Sequence, residues 1–331
     1  MRFSGLSTVL LALISLASLA GPEAAEAQGQ SSPRRVALLS SDATCATNEG
    51  FGALLEGLRS LGYRIGENLA IDCRSGEGNY ERLDALAAEL VELSPAVLVA
   101  AAGPASLAAK RATATLPIVS VYTADPVGLG LVASLSRPGN NVTGISAFSS
   151  DYAAKSLQLL KETATRASRI GVLGHAANPT FAVYRKELEK AAPAMGLALD
   201  FAGVETAQEI ESALLLMQRR GANAFLVMHQ PFTFVHREHI VQLVARLRLP
   251  AMYGSRQAVE SGGLMSYAVS IPDTFRRAAY FVDKVLRGSK PGDLPVEQPT
   301  KFELVLNVKT AKTLGLMLPP ALLLRADQVM E

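Results

Sequence analysis

Several motifs that mark common enzyme classes are absent from this chain of 331 residues. No G-x-x-x-x-G-K-[ST] motif is present to bind nucleotide phosphates, and no G-x-S-x-G elbow is present for a hydrolase serine. The loop that follows the first predicted strand at Ser40 lacks the glycine cluster of a dinucleotide site. The sequence therefore offers no catalytic constellation, and we expect no cofactor.

Long runs of one charge are also absent. The chain has 32 basic and 30 acidic residues, a net charge of +2, and no basic run exceeds two residues. Because nucleic-acid binding requires a basic patch, no nucleic-acid partner is predicted. His236 and His239 are spaced to share one helix face, but a metal site needs a third ligand and nothing nearby in the sequence offers one. A solvated helix face is the favoured interpretation, and no metal is predicted.

Only the amino terminus carries a long apolar run. Arg2 provides a positive charge, residues 6–19 are apolar, and Ala25-Glu26-Ala27 is a small-x-small cleavage site. This pattern predicts a signal peptide over residues 1–27 and a soluble exported protein after its removal, for which we expect a periplasmic location. The alternative is a membrane anchor, which is disfavoured because a spanning helix needs ~20 apolar residues.

The rest of the chain repeats one pattern twice. Strands near Arg35 and Arg169 each open a series of apolar strands and amphipathic helices. In each series a buried strand, a helix and a Leu-Pro pair (Leu116-Pro117, Leu249-Pro250) introduce the next strand. Such βα alternation predicts parallel sheets with helices on both faces, and ~300 residues suit two domains of ~150 each. The fold class is therefore α/β, with two Rossmann-like doubly wound lobes and a ligand cleft between them.

The late elements exceed what either half needs, so we expect the chain to cross between the lobes more than once. We assign residues 34–147 and about 264–290 to the N-terminal lobe, and 148–263 and about 291–331 to the C-terminal lobe. Asp125 followed by proline also predicts the start of a helix that continues to Leu135.

The two cysteines favour a disulfide in an exported protein. Cys45 lies in the loop after the first strand, and Cys73 lies at the end of the second. Neighbouring strands of a doubly wound sheet end at one edge, so a Cys45–Cys73 bridge is possible. Two unpaired thiols remain the alternative.

Polar and aromatic residues follow the predicted strands at their carboxyl ends, where open α/β sheets bind ligands. They are the residue types of a binding pocket, in which a few oriented polar groups stand on an apolar lining. The predicted ligand-binding residues are Ser40, Ser41, Gly103, Pro104, Tyr122, Asp125, His175, Asn178, Gln230, Tyr253 and Arg256. His175 and His229 each follow a second-half strand and are interpreted as hydrogen-bond donors in the cleft. The alternative is that they are ordinary loop histidines.

Roles follow for some of these groups. Arg256, or the helix that opens at Gly103, could bind a ligand carboxylate. Asp125 or Asp42 could accept from a ligand ammonium, with a structural helix cap as the alternative for Asp125. Tyr122 and Tyr253, which follow matching strands of the two halves, are predicted to sandwich the apolar part of the ligand.

Long segments resemble the substrate-binding proteins of a bacterial ABC transporter family, whose characterised members take up tryptophan or tyrosine. The segments that carry the resemblance are Gly57–Asn68 (GLRSLGYRIGEN), Asp125–Leu135 (DPVGLGLVASL), Arg137–Gly144 (RPGNNVTG), Leu249–Gly254 (LPAMYG), Gly262–Tyr267 (GGLMSY), Pro299–Asn307 (PTKFELVLN), Ala311–Leu316 (AKTLGL), Pro319-Pro320 and Arg325–Asp327 (RAD).

The resemblance implies a type I periplasmic-binding-protein-like fold with a hinge of several crossings. It also implies a non-enzymatic monomer that captures an amino acid or an aromatic or organic acid and delivers it to an ABC permease with its ATPase. Two other functions stay open on the sequence alone: an exported α/β enzyme acting on a small metabolite, and a ligand-sensing partner of a membrane receptor.

Overall fold

The structure is a computed structural model that describes residues 33–42, 44–147 and 152–331. The predicted signal peptide lies outside the described residues. The strands are β1 (Arg34–Ser40), β2 (Leu69–Ser75), β3 (Val97–Ala101), β4 (Ile118–Thr123), β5 (Val142–Ser146), β6 (Arg169–His175), β7 (Ala198–Val204), β8 (Ala224–Val227), β9 (Ala251–Tyr253), β10 (Met265–Val269), β11 (Phe302–Asn307) and β12 (Gln328–Met330). The α-helices are α1 (Glu49–Ser60), α2 (Leu83–Glu92), α3 (Ala102–Ala112), α4 (Tyr152–Thr163), α5 (Thr180–Ala191), α6 (Glu209–Arg219), α7 (Pro231–Val235), α8 (Arg237–Leu247), α9 (Arg256–Glu260), α10 (Ile271–Leu286), α11 (Val308–Thr313) and α12 (Pro320–Arg325).

The N-terminal lobe is built on a parallel sheet with strand order β2-β1-β3-β4-β5. Its central strands are apolar on both faces, and all residues of β3 are buried. Such strands need helices on both sides. One face packs against α1 and α10, and the other packs against α2 and α3.

The C-terminal lobe is built on a sheet with strand order β12-β11-β10-β9-β8-β6-β7. Among the described strands of this sheet, β10 and β11 pair antiparallel and the other neighbours pair parallel. One face of this sheet packs against α4 and α5, and the other packs against α6 and α8. Both sheets belong to one compact unit, Pro33–Glu331. None of the described helices is both long and apolar enough to cross a membrane.

The segment 264–290, which we assigned to the N-terminal lobe, divides between the lobes. Strand β10 pairs with β9 and β11 and so lies in the second sheet, whereas α10 packs on the first. The next segment also differs from our assignment, because the Glu297 amide donates to the Gly144 carbonyl oxygen at 3.0 Å. The chain thus passes between the lobes three times: after β5, before α10 and before β11.

The predicted helix from Asp125 to Leu135 is wrong, because the chain forms only turns there. The Asp125 side chain does cap the first turn, since its Oδ1 accepts from the Gly128 amide at 2.8 Å. Gly130 then adopts a φ of 68°, which lies in the left-handed region and ends the helical path.

Cys45 and Cys73 form a disulfide with their Cα atoms 6.1 Å apart. The bridge connects the loop after β1 to the interior of β2. Because β1 and β2 are adjacent and parallel, the bridge fixes this loop at the carboxyl edge of the sheet.

Candidate functional site

Contacts between the two lobes gather where the central strands end. The phenol oxygen of Tyr80, in the N-terminal lobe, accepts from Asn178 Nδ2 at 2.9 Å. The Asn178 amide is fixed in turn, because its Oδ1 accepts from the backbone N–H and the hydroxyl of Thr180 at 2.9 and 2.7 Å. The Tyr80 ring also meets the His175 ring edge to face, with centroids 4.9 Å apart. These contacts join the lobes in a closed arrangement.

His175 and Gln230 hold the C-terminal wall in place. Gln230 is buried, and its Oε1 accepts from the His175 backbone N–H at 2.6 Å. The His175 ring stacks on Phe232 with centroids 4.4 Å apart. Burial lowers the pKa of His175 and so favours the neutral form of the ring. Both residues position the wall between β6 and α7.

Tyr122 and His229 form a second bridge between the lobes, with ring centroids 5.0 Å apart. Tyr122 adopts a φ of 64°, an uncommon conformation for a residue with a Cβ atom. Burial raises the pKa of Tyr122 well above its usual range and lowers the pKa of His229 to about 4. The nearby Asp42 charge raises the pKa of Tyr122 further, and at His229 it partly offsets the lowering by burial. The carboxylate therefore lies among aromatic groups of both lobes.

The Asp42 carboxylate is oriented by its own lobe. Ser40 donates its hydroxyl to Asp42 Oδ1 at 2.8 Å, and Asn48 Nδ2 donates to the Ser40 oxygen at 3.2 Å. The neighbouring Ser41 has an internal role, because its oxygen accepts from the Ala105 amide at 2.9 Å. One of the amides at the start of α3 that we predicted to bind a carboxylate is thus already paired.

Gly103 and Pro104 lie in the buried first turn of α3. A Cβ atom on Gly103 would stand 3.3 Å from Thr180 Cγ2 of the opposite lobe. A glycine here permits the close approach of the two lobes.

Three predicted site residues are not brought together with Tyr122. Asp125 caps its own turn. The Tyr253 ring is buried in the core beneath α8 and lies against Gly263, so it does not form the predicted sandwich. Arg256 lies on α9, where its Nε donates to Glu260 Oε1 at 2.8 Å.

A cavity of about 170 Å³ lies between the lobes beside Asp42, and we call it the interlobe cavity. It is lined by Asp42, Thr47, Asn48, Glu49, Gly50, Phe234, Arg237, Gln257 and Ile271. A second cavity of about 190 Å³ adjoins it on the hinge side, where Arg256 and Ser266 contribute to its walls. The two cavities share the hydrogen bond from Gln257 Nε2 to Glu49 Oε2, at 2.9 Å, which joins the lobes.

Sequence reasoning missed Arg237, Phe234, Glu49 and Tyr80. None of them follows a strand directly, which was the signal used. Arg237 begins α8 beside His236, and the solvated helix face that the sequence indicates is that of His236 and His239. The short helix α7, which brings Phe234 and Arg237 to the cavity, has no distinct sequence pattern apart from Pro231 at its first position.

Comparison with known proteins places this site in a family. The sequence pattern of the family described as ABC transporter substrate binding protein matches residues 36–330. A tyrosine-binding protein of Clostridioides difficile is 27% identical over 265 residues, which cover 79% of this chain and 75% of that protein.

Solved structures are similar over nearly the whole chain. The ABC domain in complex with L-Trp from Streptococcus pneumoniae has 26% identity and a TM-score of 0.85, with 90% of this chain and 100% of that chain covered. A conserved domain protein from Vibrio cholerae has 28% identity and the same TM-score of 0.85, with 89% and 99% covered. The fold is that of type I periplasmic binding proteins, and the relatives are solute-binding proteins rather than enzymes. Since the family pattern extends from β1 to β12, the chain belongs to the family of ABC transporter substrate-binding proteins.

Proposed function

We propose that this protein is the extracytoplasmic solute-binding subunit of an ABC importer. It closes its two lobes on a small molecule and delivers that molecule to a membrane permease with its ATPase. The observation that carries the proposal is the convergence of side chains from both lobes on one cleft, through the Tyr80–Asn178 and Tyr122–His229 contacts. A ligand bound at such a cleft favours the closed state because it contacts both walls only there.

Two features support a location outside the cytoplasm. Residues 1–27 have the charge, apolar run and cleavage site of a signal peptide. The Cys45–Cys73 disulfide is typical of an oxidising compartment. The proposed location is the periplasm.

Amino acids are the ligand class that the relatives favour, because one is named for tyrosine and another was solved with L-Trp. The cleft of this chain agrees with such ligands. It combines aromatic rings with side chains of both charges, which a zwitterion with an apolar side chain requires.

A thermal-shift screen of the mature protein against amino acids, aromatic acids and organic acids tests the proposal. We expect one class to raise the melting temperature and to bind with one-to-one stoichiometry in calorimetry. Small-angle scattering should show a smaller radius of gyration with ligand bound. Turnover of the tightest ligand, abolished by one substitution in the cleft, would contradict the proposal and favour an enzyme.

Delivery requires a second test. Liganded protein should stimulate ATP hydrolysis by its permease and ATPase in lipid vesicles, and protein without ligand should stimulate it less. Equal ATPase rates with and without this protein would argue against the importer role.

A further inference from the structure

Arg237, on the C-terminal wall of the interlobe cavity, has a buried donor atom with no hydrogen-bond partner among the described residues. Its Nη1 donates to the Phe234 carbonyl oxygen at 3.0 Å, and its guanidinium lies 4.8 Å from the centre of the Phe234 ring. The Nε atom is buried and has no hydrogen-bond partner. The remaining Nη2 atom is 3.6 Å from Glu238 Oε1, whose side chain is 70% exposed.

A buried donor without an acceptor is unfavourable, and native proteins usually pair such a donor with a protein group, a water or a bound molecule. The Nε and Nη2 groups of arginine form a fork that matches the two oxygens of a carboxylate. Phe234 fixes Nη1 and the plane of the guanidinium, and so it also orients that fork.

The opposite wall of the same cavity is acidic. Asp42 lies there with its Oδ1 held by Ser40 at 2.8 Å, and Glu49 adds a second carboxylate. Asp42 belongs to the N-terminal lobe, whereas Arg237 belongs to the C-terminal lobe. The two lobes thus present opposite charges to one cavity.

We propose that Arg237 binds the carboxylate of the ligand and that Asp42 accepts from its ammonium group. The ligand class is then a zwitterionic α-amino acid with an uncharged side chain. The Glu49 carboxylate disfavours an acidic side chain, because like charges in a confined site repel. This inference rests on the proposed function and adds to it the two residues that select the ligand.

The arrangement also connects ligand charge with closure. A molecule with only one charged group matches the charge of one lobe and does not contact the opposite charge of the other lobe. A zwitterion matches both at once, and both contacts form only when the lobes are closed.

Calorimetry on the mature chain tests the inference with three matched sets of probes. L-tryptophan, L-tyrosine and L-leucine carry both charges, whereas tryptamine and tyramine lack the carboxylate, and indole-3-propionate lacks the ammonium group. We expect at least one amino acid to bind, and removal of either charged group to weaken binding at least about 30-fold, since the ligand then loses one of its two charged contacts.

The variants Arg237→Met and Asp42→Asn then identify the residues. Arg237→Met should weaken amino-acid binding at least about 30-fold, and it should bind tryptophan and tryptamine with similar affinity. Asp42→Asn should lose discrimination between tryptophan and indole-3-propionate in the same way. Arg237→Lys keeps the charge but not the fork, so a smaller loss, of about tenfold, is expected.

Arg246→Met is the matched control, because Arg246 lies on the same helix and pairs with Glu211 at 3.4 Å. It should bind amino acids as the wild type does. Thermal unfolding of each variant shows whether it is folded. The inference is overturned if folded Arg237→Met keeps the wild-type preference for tryptophan over tryptamine.

The outcomes also separate this inference from the proposed function. If the wild type binds none of the amino acids but closes on another solute, the inference fails and the proposed function stands. If no small molecule binds or closes the lobes, both fail.

Discussion

At the scale of single residues, the His229 imidazole makes folding sensitive to acid. Burial lowers its pKa to about 4, whereas a free imidazole titrates near ~6.5. In the window between these values the unfolded chain binds a proton and the folded protein does not. The free energy of unfolding therefore has its full value above about pH 6.5. It decreases as the pH falls from about 6.5 to about 4.

We expect the free energy of unfolding to fall by up to about 3 kcal/mol over this window, because each pKa unit corresponds to ~1.4 kcal/mol. Urea unfolding from about pH 7.5 to about pH 4 measures the change. His229→Gln should reduce the slope. It should not abolish it, since burial also lowers the pKa of His175 and of His236. An unchanged slope would show that His229 titrates normally.

Asp125 should matter for stability rather than for binding. Its Oδ1 caps the turn at Gly128, so Asp125→Ala should cost ~1 kcal/mol, the usual effect of losing a cap. Ligand affinity by calorimetry should stay within about twofold of the wild-type value. A loss of about 30-fold or more would instead return Asp125 to the role of ammonium acceptor that the sequence suggested.

The ends of strands could be predicted from the sequence, but the directions of side chains could not. Tyr122 and Tyr253 follow matching strands, yet only the first ring reaches the opposite lobe. The difference depends on strand alternation and on the positive φ of Tyr122, which no pattern in one sequence reveals. Arg237 escaped notice because a charged residue at a helix start usually faces solvent.

At the scale of secondary structure elements, α1 and α10 pack closely through a glycine. A Cβ atom on Gly57 would stand 2.7 Å from Ala279 Cβ and 2.9 Å from the Arg276 carbonyl oxygen. Gly57→Ala should therefore force the helices apart and cost ~1–3 kcal/mol.

Gly52 is the matched control, because it lies on the same helix with nothing within 4 Å of its Cβ position. Gly52→Ala should stabilise the protein by ~0.5–1 kcal/mol, since alanine loses less backbone entropy in a helix. Equal effects of the two substitutions on the melting temperature would contradict the packing argument.

The disulfide is a second device at this scale. Cys45 and Cys73 are separated by 28 positions, and closing such a loop stabilises by up to roughly 3.5 kcal/mol on the chain-entropy model. The double variant Cys45→Ser, Cys73→Ser should lose most of that, and reductant should bring the wild type to the same melting temperature. Mass spectrometry of the native protein after alkylation checks the bridge, because two modified thiols would show that it does not form.

The alternation of strands and helices could be predicted because buried parallel strands read as apolar runs. The lobe to which each strand belongs was harder to predict than the strand itself. The sequence of β10 resembles that of any other strand, and its place between β9 and β11 depends on pairing with residues far along the chain. The Asp125–Leu135 segment had the start signals of a helix. Gly130 ends the helical path there through its positive φ, which the start signals do not reveal.

At the scale of the whole molecule, the Tyr80 hydroxyl should contribute to closure. Tyr80→Phe removes the hydrogen bond from Asn178 across the lobes and leaves the ring in place. A net hydrogen bond is worth ~0.5–1.5 kcal/mol, so ligand affinity should fall by roughly two- to tenfold.

Tyr63→Phe is the matched control, because the Tyr63 hydroxyl donates to Asp283 Oδ1 at 2.9 Å within the N-terminal lobe. It should lower the melting temperature and leave the affinity unchanged. Calorimetry and thermal unfolding of both variants make the comparison, and an equal loss of affinity in both would show that the Tyr80 contact has no special part in closure.

The position of α10 along the chain has a consequence for the order in which the protein is completed. A ribosome releases β1 to β5 first, yet the helix that buries Phe275 and Phe281 against their sheet begins only at Ile271. Until that helix emerges, the apolar side of α1 and the strands beneath it remain exposed to water. The lobe that is synthesised first is thus finished late, and until then its unfinished apolar surface is open to aggregation or to a chaperone.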